Sequence, residues 1–159
     1  MLTYSELFFS IEGEAKYAGH PTIYLRLTGC NKTCAGFNNP DNVDPSSLSV
    51  LGFDPKQIKV IQDVPEISIG CDSIYSWDPQ FEHLWKTQTA DQIIDELEKL
   101  LPVGGWTHPK SHQNVIFSIT GGEPLMNQKT LPELLLHPRM KGCKHILFET
   151  NGSVALSPK

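Results

Sequence analysis

The segment TIYLRLTGCNKTC, from Thr22 to Cys34, joins a hydrophobic run to a loop that carries two cysteines. The run TIYLRL is rich in β-branched and aromatic residues and alternates little, which is typical of a strand covered on both faces of a parallel sheet. Gly29 ends the run, and Cys30 and Cys34 follow it in a CxxxC spacing. Because sites in parallel α/β folds lie at the carboxyl ends of strands, this loop is a candidate site.

Two further segments repeat the pattern of a hydrophobic run followed by a loop. NVIFSIT, Asn114 to Thr120, runs into TGGEPL, and HILFET, His145 to Thr150, runs into ETNG. Both runs are predicted to be strands, and the loops that follow all three strands are expected to share one pocket. An earlier run, Tyr4 to Ser10, is either another strand or an extended lead-in.

Helical periodicity occurs twice between the strands. In TADQIIDELEKLL, Thr89 and Gln92 are predicted to form a capping box ahead of an apolar face. In TLPELLLHPRM, Thr130 is the expected N-cap and Pro138 is expected to end the helix early. Alternating strands and helices predict an α/β fold with a mainly parallel sheet.

The stretch from Asn38 to about Gly70 lacks a clear period and is interpreted as an insertion in a single domain spanning 1–159. The alternation of strands and helices breaks off within ETNGSVALSPK. Two possibilities therefore stay open: a small complete sheet, or the N-terminal part of a longer protein.

The composition is that of an ordinary globular domain. The chain has 159 residues and a net charge of −5, and it contains no basic run that would indicate binding to nucleic acid or to a membrane. No apolar stretch approaches the length of a membrane span. The N-terminus is too acidic for a signal peptide. We therefore expect a cytoplasmic protein, in which clustered cysteines more often bind metal than form disulfides.

The CxxxC spacing is a weak signal by itself, because Cys30 and Cys34 could be buried thiols, half of a zinc site or part of a larger motif. Phe37 stands where a third cysteine would follow. The next cysteine, Cys71, lies in GCDSIYSWDP, whereas Cys143 directly precedes a predicted strand and is expected to be a core thiol.

Taken together, these motifs resemble the radical S-adenosylmethionine (SAM) enzymes, and among them the 7-carboxy-7-deazaguanine synthases. Those enzymes hold a [4Fe–4S] cluster with three cysteines in CxxxCxxC, and an Asp-Thr pair follows the third. CDSIYSWD, from Cys71, is similar to that segment, displaced by the insertion. The resemblance implies a partial (β/α) barrel in which Cys30, Cys34 and Cys71 hold the cluster and Asp72 lies beside the cofactor.

The same resemblance assigns the other site residues. FFSIEGEAKYAGHPTIYLRLTGC is similar to the family's opening, which binds a pterin and pairs an arginine with its carboxylate. TGGEPL matches the Gly-Gly-Glu-Pro motif that meets the amino group of SAM, and ETNG is similar to the segment that closes the site. The substrate residues would be Ile11, Glu12, Gly13, Arg26 and Thr120, and the SAM residues Gly121, Gly122 and Glu123.

Two positions depart from the family pattern. Gly70 stands where an aromatic residue usually contacts adenine, and Phe37 is a candidate to replace it. Ser73 stands in place of a threonine that binds Mg²⁺, but its hydroxyl can still bind the ion. The terminal Ser157-Pro158-Lys159 is similar to a later family segment or begins a helix, and it is not assigned to the site.

The resemblance implies an enzyme that converts 6-carboxy-5,6,7,8-tetrahydropterin to 7-carboxy-7-deazaguanine with SAM and Mg²⁺. The partners would be a second copy of the chain and an external electron donor such as flavodoxin. Alternatives remain: a glycyl-radical activating enzyme, a truncated inactive fragment, or a non-catalytic module stapled by zinc through four thiols. Single residues also have structural interpretations, since Arg26 could pair with Glu12 or Glu14, and Gly121-Gly122 could form a plain turn.

Overall fold

The fold is built on a five-stranded mixed sheet with the order β3-β1-β2-β4-β5. A computed structural model describes residues 1–157, so Pro158 and Lys159 of the terminal segment lie outside the described residues. The strands are β1 (Leu2–Ile11), β2 (Pro21–Leu27), β3 (Lys86–Gln88), β4 (Ile116–Gly121) and β5 (Ile146–Phe148).

The directions of the strands confirm part of the sequence prediction. β2, β4 and β5 are parallel, as expected from their apolar runs. β1 is a full strand rather than a lead-in, and it pairs antiparallel with both β2 and β3, so the sheet is mixed and not mainly parallel. The physical reason is the short connection from β1 to β2, which is too short for the crossover that a parallel pair requires.

Helices are few and short. The α-helices are α1 (Leu48–Leu51), α2 (Ala90–Leu100) and α3 (Leu131–Leu135). Short 3₁₀ helices cover Ala15–Tyr17, Pro55–Gln57, Ile61–Asp63, Ile74–Ser76, Pro79–Leu84, Pro124–Asn127 and Pro138–Met140. No helix in residues 1–157 is long and apolar enough to cross a membrane.

The two predicted helix starts have different outcomes. The capping box of Thr89 and Gln92 is present at the start of α2. Thr130 does precede α3, but its side chain makes no cap, because its hydroxyl donates to the Asn127 carbonyl at 3.1 Å instead. α3 ends at Leu135, before Pro138, as expected.

The two faces of the sheet differ in chemistry. Ile23 and Leu25 of β2 and Ile119 of β4 are fully buried in a core that includes the apolar face of α2. Burial of each such side chain contributes about 1.5–3 kcal/mol. Because neighbouring residues in a strand point to opposite faces, Arg26 and Thr120 lie on the other face, where polar groups gather.

Candidate functional site

The two ends of the insertion lie next to each other. The backbone N–H of Gly70 donates to the carbonyl of Phe37 at 2.7 Å, which closes the segment between them. As a result Cys34 and Cys71, far apart in sequence, line a common cavity of about 370 Å³ with Phe37 and Gly70. The fold therefore brings Cys71 close to Cys34, near the carboxyl end of β2.

The first cysteine lies in the same neighbourhood. Cys30 and Cys34 line an adjoining cavity of about 540 Å³ together with Trp77. Burial raises the pKa of Cys34, and the thiolate charges of Cys71 and Cys30 raise it further. The three thiols lie near one another but do not form a ready-made set of metal ligands. Within residues 1–157, no group of three or more His, Cys, Asp or Glu residues is arranged to hold a metal ion.

Trp77 provides a test of whether an iron–sulfur cluster suits this site. Its indole Nε1 is buried and has no hydrogen-bond partner among the described residues. An orphaned buried N–H costs about 1–3 kcal/mol, and Trp77 lines the same cavity as Cys30 and Cys34, so this part of the site has an unused donor. Thiolates are the usual ligands of such clusters, so the residues present fit one.

Backbone and buried side chains anchor the segment that follows Cys71. Gly29 N–H donates to the Ser76 carbonyl at 2.9 Å, which ties this segment to the start of the cysteine loop. Ile74 is fully buried. The hydroxyl of Ser46, within the insertion, donates to the buried Asp78 carboxylate at 2.6 Å. The segment after Cys71, which carries the family resemblance, is therefore packed against the rest of the fold.

Arg26 has a protein partner that the sequence did not indicate. Its Nε donates to Glu6 Oε2 at 2.9 Å, whereas Glu12 and Glu14, the partners considered above, are not used. Its Nη1 donates to Ser73 Oγ at 3.1 Å. The ion pair therefore lies within the sheet, and the hydrogen bond to Ser73 connects Arg26 to the residues that follow Cys71.

Glu6, Tyr75 and Asp72 complete this network. Tyr75 O–H donates to Glu6 Oε2 at 3.2 Å, and Ser73 Oγ donates to Asp72 Oδ1 at 3.0 Å. Burial raises the pKa of Tyr75 to about 12 despite the opposing Arg26 charge, so the phenol remains a neutral donor near neutral pH. Glu6 lies directly opposite Arg26 in the register of β1 on β2, which explains why it is the partner of Arg26. Only this register brings the two residues together.

A third cavity lies at the other predicted substrate residues. Glu12, Gly13, Tyr24, Glu149 and Thr150 line a space of about 660 Å³. Tyr24 O–H donates to Glu12 Oε2 at 3.0 Å, and burial, followed by this bond, raises the pKa of Tyr24. Tyr24 was not predicted to be a site residue. The available signal was its position in β2, because it lies on the same face of the strand as Arg26, where polar groups gather.

The remaining substrate residues differ in position. Ile11 is 66% exposed at the end of β1 and is absent from the lining of the Glu12 cavity. Thr120 is buried and lies beside Arg26 in the β2–β4 register. The structure thus places Glu12 with Gly13, and Arg26 with Thr120.

The Gly121-Gly122 turn packs directly against the cysteine loop. Gly121 has φ +132°, and a methyl group there would overlap the Leu27 carbonyl. A methyl group at Gly122 would overlap the Gly29 carbonyl and lie 2.8 Å from the Cys30 Cβ. Both glycines are therefore explained by close approach, Gly121 to the end of β2 and Gly122 to the cysteine loop, and the turn continues into the 3₁₀ helix Pro124–Asn127.

Glu123 is fully buried, and protein donors surround its carboxylate. It accepts hydrogen bonds from Leu125 N–H at 2.9 Å, from Thr150 Oγ1 at 2.8 Å and from Asn151 N–H at 2.8 Å. A buried carboxylate requires such donors. In this structure Glu123 thus joins the TGGEPL turn to the ETNG loop.

Cys143 is remote from the other thiols in the topology. It precedes β5, whereas Cys30 follows β2, and parallel strands place these positions at opposite edges of the sheet. Its Sγ donates to the His145 carbonyl at 3.4 Å, and burial raises its pKa to about 11. The four-thiol zinc alternative therefore lacks its fourth ligand.

The fold and the site together point to an iron–sulfur domain in which Cys30, Cys34 and Cys71 lie near the carboxyl edge of the parallel strands. A family model described as a 4Fe-4S single cluster domain matches residues 18–156, and the chain belongs to that family.

Curated relatives make the likeness more specific. The chain is 27% identical to the 7-carboxy-7-deazaguanine synthase of Koribacter versatilis over 96% of its own length and 45% of the relative's. It is 26% identical to that of Methanopyrus kandleri over 94% of this chain and 48% of the relative. The chain thus spans about half the length of the curated relatives it matches.

A solved structure supports the fold. The crystal structure of QueE from Escherichia coli matches 98% of this chain and 54% of its own with a TM-score of 0.57, at 18% sequence identity. This likeness shows the fold alone. The resemblance to the 7-carboxy-7-deazaguanine synthases predicted from the motifs is confirmed by the family and by these relatives.

Proposed function

We propose that this chain is the cluster-binding part of a radical SAM lyase that converts 6-carboxy-5,6,7,8-tetrahydropterin to 7-carboxy-7-deazaguanine. The observation that carries this proposal is the closure of the insertion between Phe37 and Gly70, which brings Cys71 to the same cavity as Cys34. The curated relatives bear the name of this synthase, which supplies the proposed activity.

Cys30, Cys34 and Cys71 would bind three irons of a [4Fe–4S] cluster and leave the fourth open to the amino and carboxylate groups of SAM. A cluster held by these three thiolates would supply the one-electron reduction of SAM with which radical chemistry begins. Phe37, which is 65% exposed at the rim of the Cys34–Cys71 cavity, would contact the adenine in place of the residue missing at Gly70.

The cavity beside Glu12 suits the pterin. The Glu12 carboxylate can accept hydrogen bonds from the N–H groups of a pterin ring. Tyr24 holds this carboxylate in place through a hydrogen bond to one of its oxygens. Arg26 would bind the substrate carboxylate with its guanidinium fork, beside Thr120. Ring contraction of the bound pterin releases ammonia.

Mg²⁺ would bind at Ser73, whose hydroxyl contacts Asp72 Oδ1 at 3.0 Å. Hydroxyl and carboxylate oxygens are ligands that Mg²⁺ prefers. Asp72 thus adds a negative charge next to both the metal position and Cys71.

The proposal extends to the whole enzyme. The described sheet would be the N-terminal part of a (β/α) barrel, and the enzyme would work in the cytoplasm as a homodimer with an electron donor such as flavodoxin. Since the chain covers about half of the relatives, the later strands of that barrel would come from additional sequence.

Anaerobic reconstitution with iron and sulfide, followed by incubation with SAM, dithionite and the tetrahydropterin, tests the function. We expect a brown protein, 5′-deoxyadenosine and a product with the mass of 7-carboxy-7-deazaguanine. A colourless protein that retains only zinc would contradict the enzyme class. Formation of 5′-deoxyadenosine without any deazaguanine product would contradict the substrate and favour a glycyl-radical activating enzyme.

A further inference from the structure

The loop that follows β5 is hydrogen-bonded to the first cysteine loop through Asn151. Its Nδ2 lies 3.9 Å from Cys30 Sγ and donates to Asn31 Oδ1 at 3.0 Å. Asn31 Nδ2 in turn donates to Ser153 Oγ at 2.8 Å. Two loops that are far apart in the sequence are thus connected at one of the three thiols assigned above as cluster ligands.

Neighbouring groups fix the direction in which the Asn151 amide points. Its Oδ1 accepts a hydrogen bond from the backbone N–H of Ser153 at 3.0 Å. A backbone N–H can only donate, so the oxygen of the amide must lie on that side. The NH₂ group therefore faces Cys30 and Asn31.

Glu123 fixes the backbone that carries this amide. Its fully buried carboxylate accepts from Asn151 N–H and from Thr150 Oγ1, both at 2.8 Å. On the other side of the turn, Glu123 N–H donates to the Gly29 carbonyl at 2.8 Å. A single residue thus holds both the loop that donates and the loop that bears the sulfur.

We propose that Asn151 is a positioning residue for Cys30: held by Glu123, it orients the thiolate and donates a hydrogen bond to its sulfur. This inference rests on the proposed function, because its consequence concerns a bound cluster. Hydrogen bonds to the sulfurs set the potential of such a cluster, since they stabilise the more negative reduced state. Asn151 would therefore make the cluster easier to reduce.

The first experiment uses the cluster-free protein, so that it does not depend on the enzymatic activity. Hydrogen–deuterium exchange, followed by mass spectrometry, compares wild type with Asn151→Ala and Glu123→Gln. We expect faster exchange in both variants at residues 29–34 and 149–153. Asn127→Ala is the matched control, because the Asn127 side chain makes no hydrogen bond to any described residue, and we expect it to exchange like wild type.

The second experiment measures the midpoint potential of the reconstituted cluster together with its iron content. Asn151→Ala should keep the iron and shift the potential to more negative values, and Asn151→Asp should shift it further, because a carboxylate adds charge and cannot donate. A merely structural role would lower iron content without this ordered shift.

The proposal is overturned if Asn151→Ala exchanges like wild type at residues 29–34, or if both Asn151 variants keep the wild-type potential. Wild-type protein that binds no cluster would refute the proposed function instead, and with it the consequence for the potential. The exchange experiment would still decide whether Asn151 holds the cysteine loop.

Discussion

Gly122→Ala is expected to destabilise the cluster-free protein by forcing apart two loops of the site. The added methyl group would overlap the Gly29 carbonyl and approach the Cys30 Cβ to 2.8 Å. The Gly29 carbonyl cannot simply move away, because it also accepts the hydrogen bond from Glu123 N–H at 2.8 Å. The overlap is with backbone, so no side-chain rotation can relieve it.

The magnitude follows from these two effects. Overpacking of a filled site costs about 1–3 kcal/mol, and weakening one backbone hydrogen bond adds about 1 kcal/mol. The expected loss is therefore about 2–4 kcal/mol, a large share of the roughly 5–15 kcal/mol of a typical domain. For a chain of this size it corresponds to a fall in Tm of about 4–16 °C.

Thermal and urea unfolding of the reduced, cluster-free protein, followed by circular dichroism, measures this loss. Gly36→Ala serves as the matched control, because it lies in the cysteine loop and a methyl group there would have no described atom within 4 Å. We expect it to unfold within about 0.5 kcal/mol of wild type. Gly122→Ala with wild-type stability would refute the packing of the Gly-Gly turn on the cysteine loop.

Three further predictions concern single side chains. Arg26→Lys should lower turnover about tenfold while iron content stays near wild type, because an ammonium cannot replace the fork and loses about 1.5 kcal/mol; equal losses of iron and turnover would point to a folding role. Ser73→Ala should weaken activation by Mg²⁺ and Ser73→Thr should keep it, and identical magnesium titrations would remove Ser73 from the site. Burial raises the pKa of Glu96, but hydrogen bonds from Gln88, Tyr4 and Lys86 outweigh it and leave the pKa below 4.5. Glu96 therefore stabilises the fold above about pH 4.5 and loses this effect as pH falls through its folded pKa, so the unfolding free energy of wild type should exceed that of Glu96→Gln by more at pH 7 than at pH 3.

Local sequence patterns predicted the parts of the fold that depend on neighbouring residues. The apolar runs gave the parallel strands β2, β4 and β5, and the Thr89–Gln92 spacing gave the capping box of α2. The antiparallel direction of β1 was not predicted, because its run of apolar residues fits either direction. It follows from the connection to β2, not from the strand itself.

Partner choices across the sheet were beyond the sequence patterns. Arg26 was recognised as a cation in an apolar strand, but its partner Glu6 depends on the register of β1 on β2. Asn151 was seen only as part of ETNG, because its contact with Cys30 requires both loops to be placed. The return of Cys71 to Cys34 was inferred from the resemblance, and the hydrogen bond between Gly70 and Phe37 now gives it a physical cause.

The central claim is that Cys30, Cys34 and the distant Cys71 hold one [4Fe–4S] cluster. Replacing each cysteine with alanine in turn, then measuring iron and sulfide after anaerobic reconstitution, tests it most directly. Cys143→Ala is the internal control, because that thiol lies against the core and donates to the His145 carbonyl. We predict that the alanine variants of Cys30, Cys34 and Cys71 each lose the cluster and that Cys143→Ala keeps it. A full cluster in Cys71→Ala, or its loss in Cys143→Ala, would contradict the account.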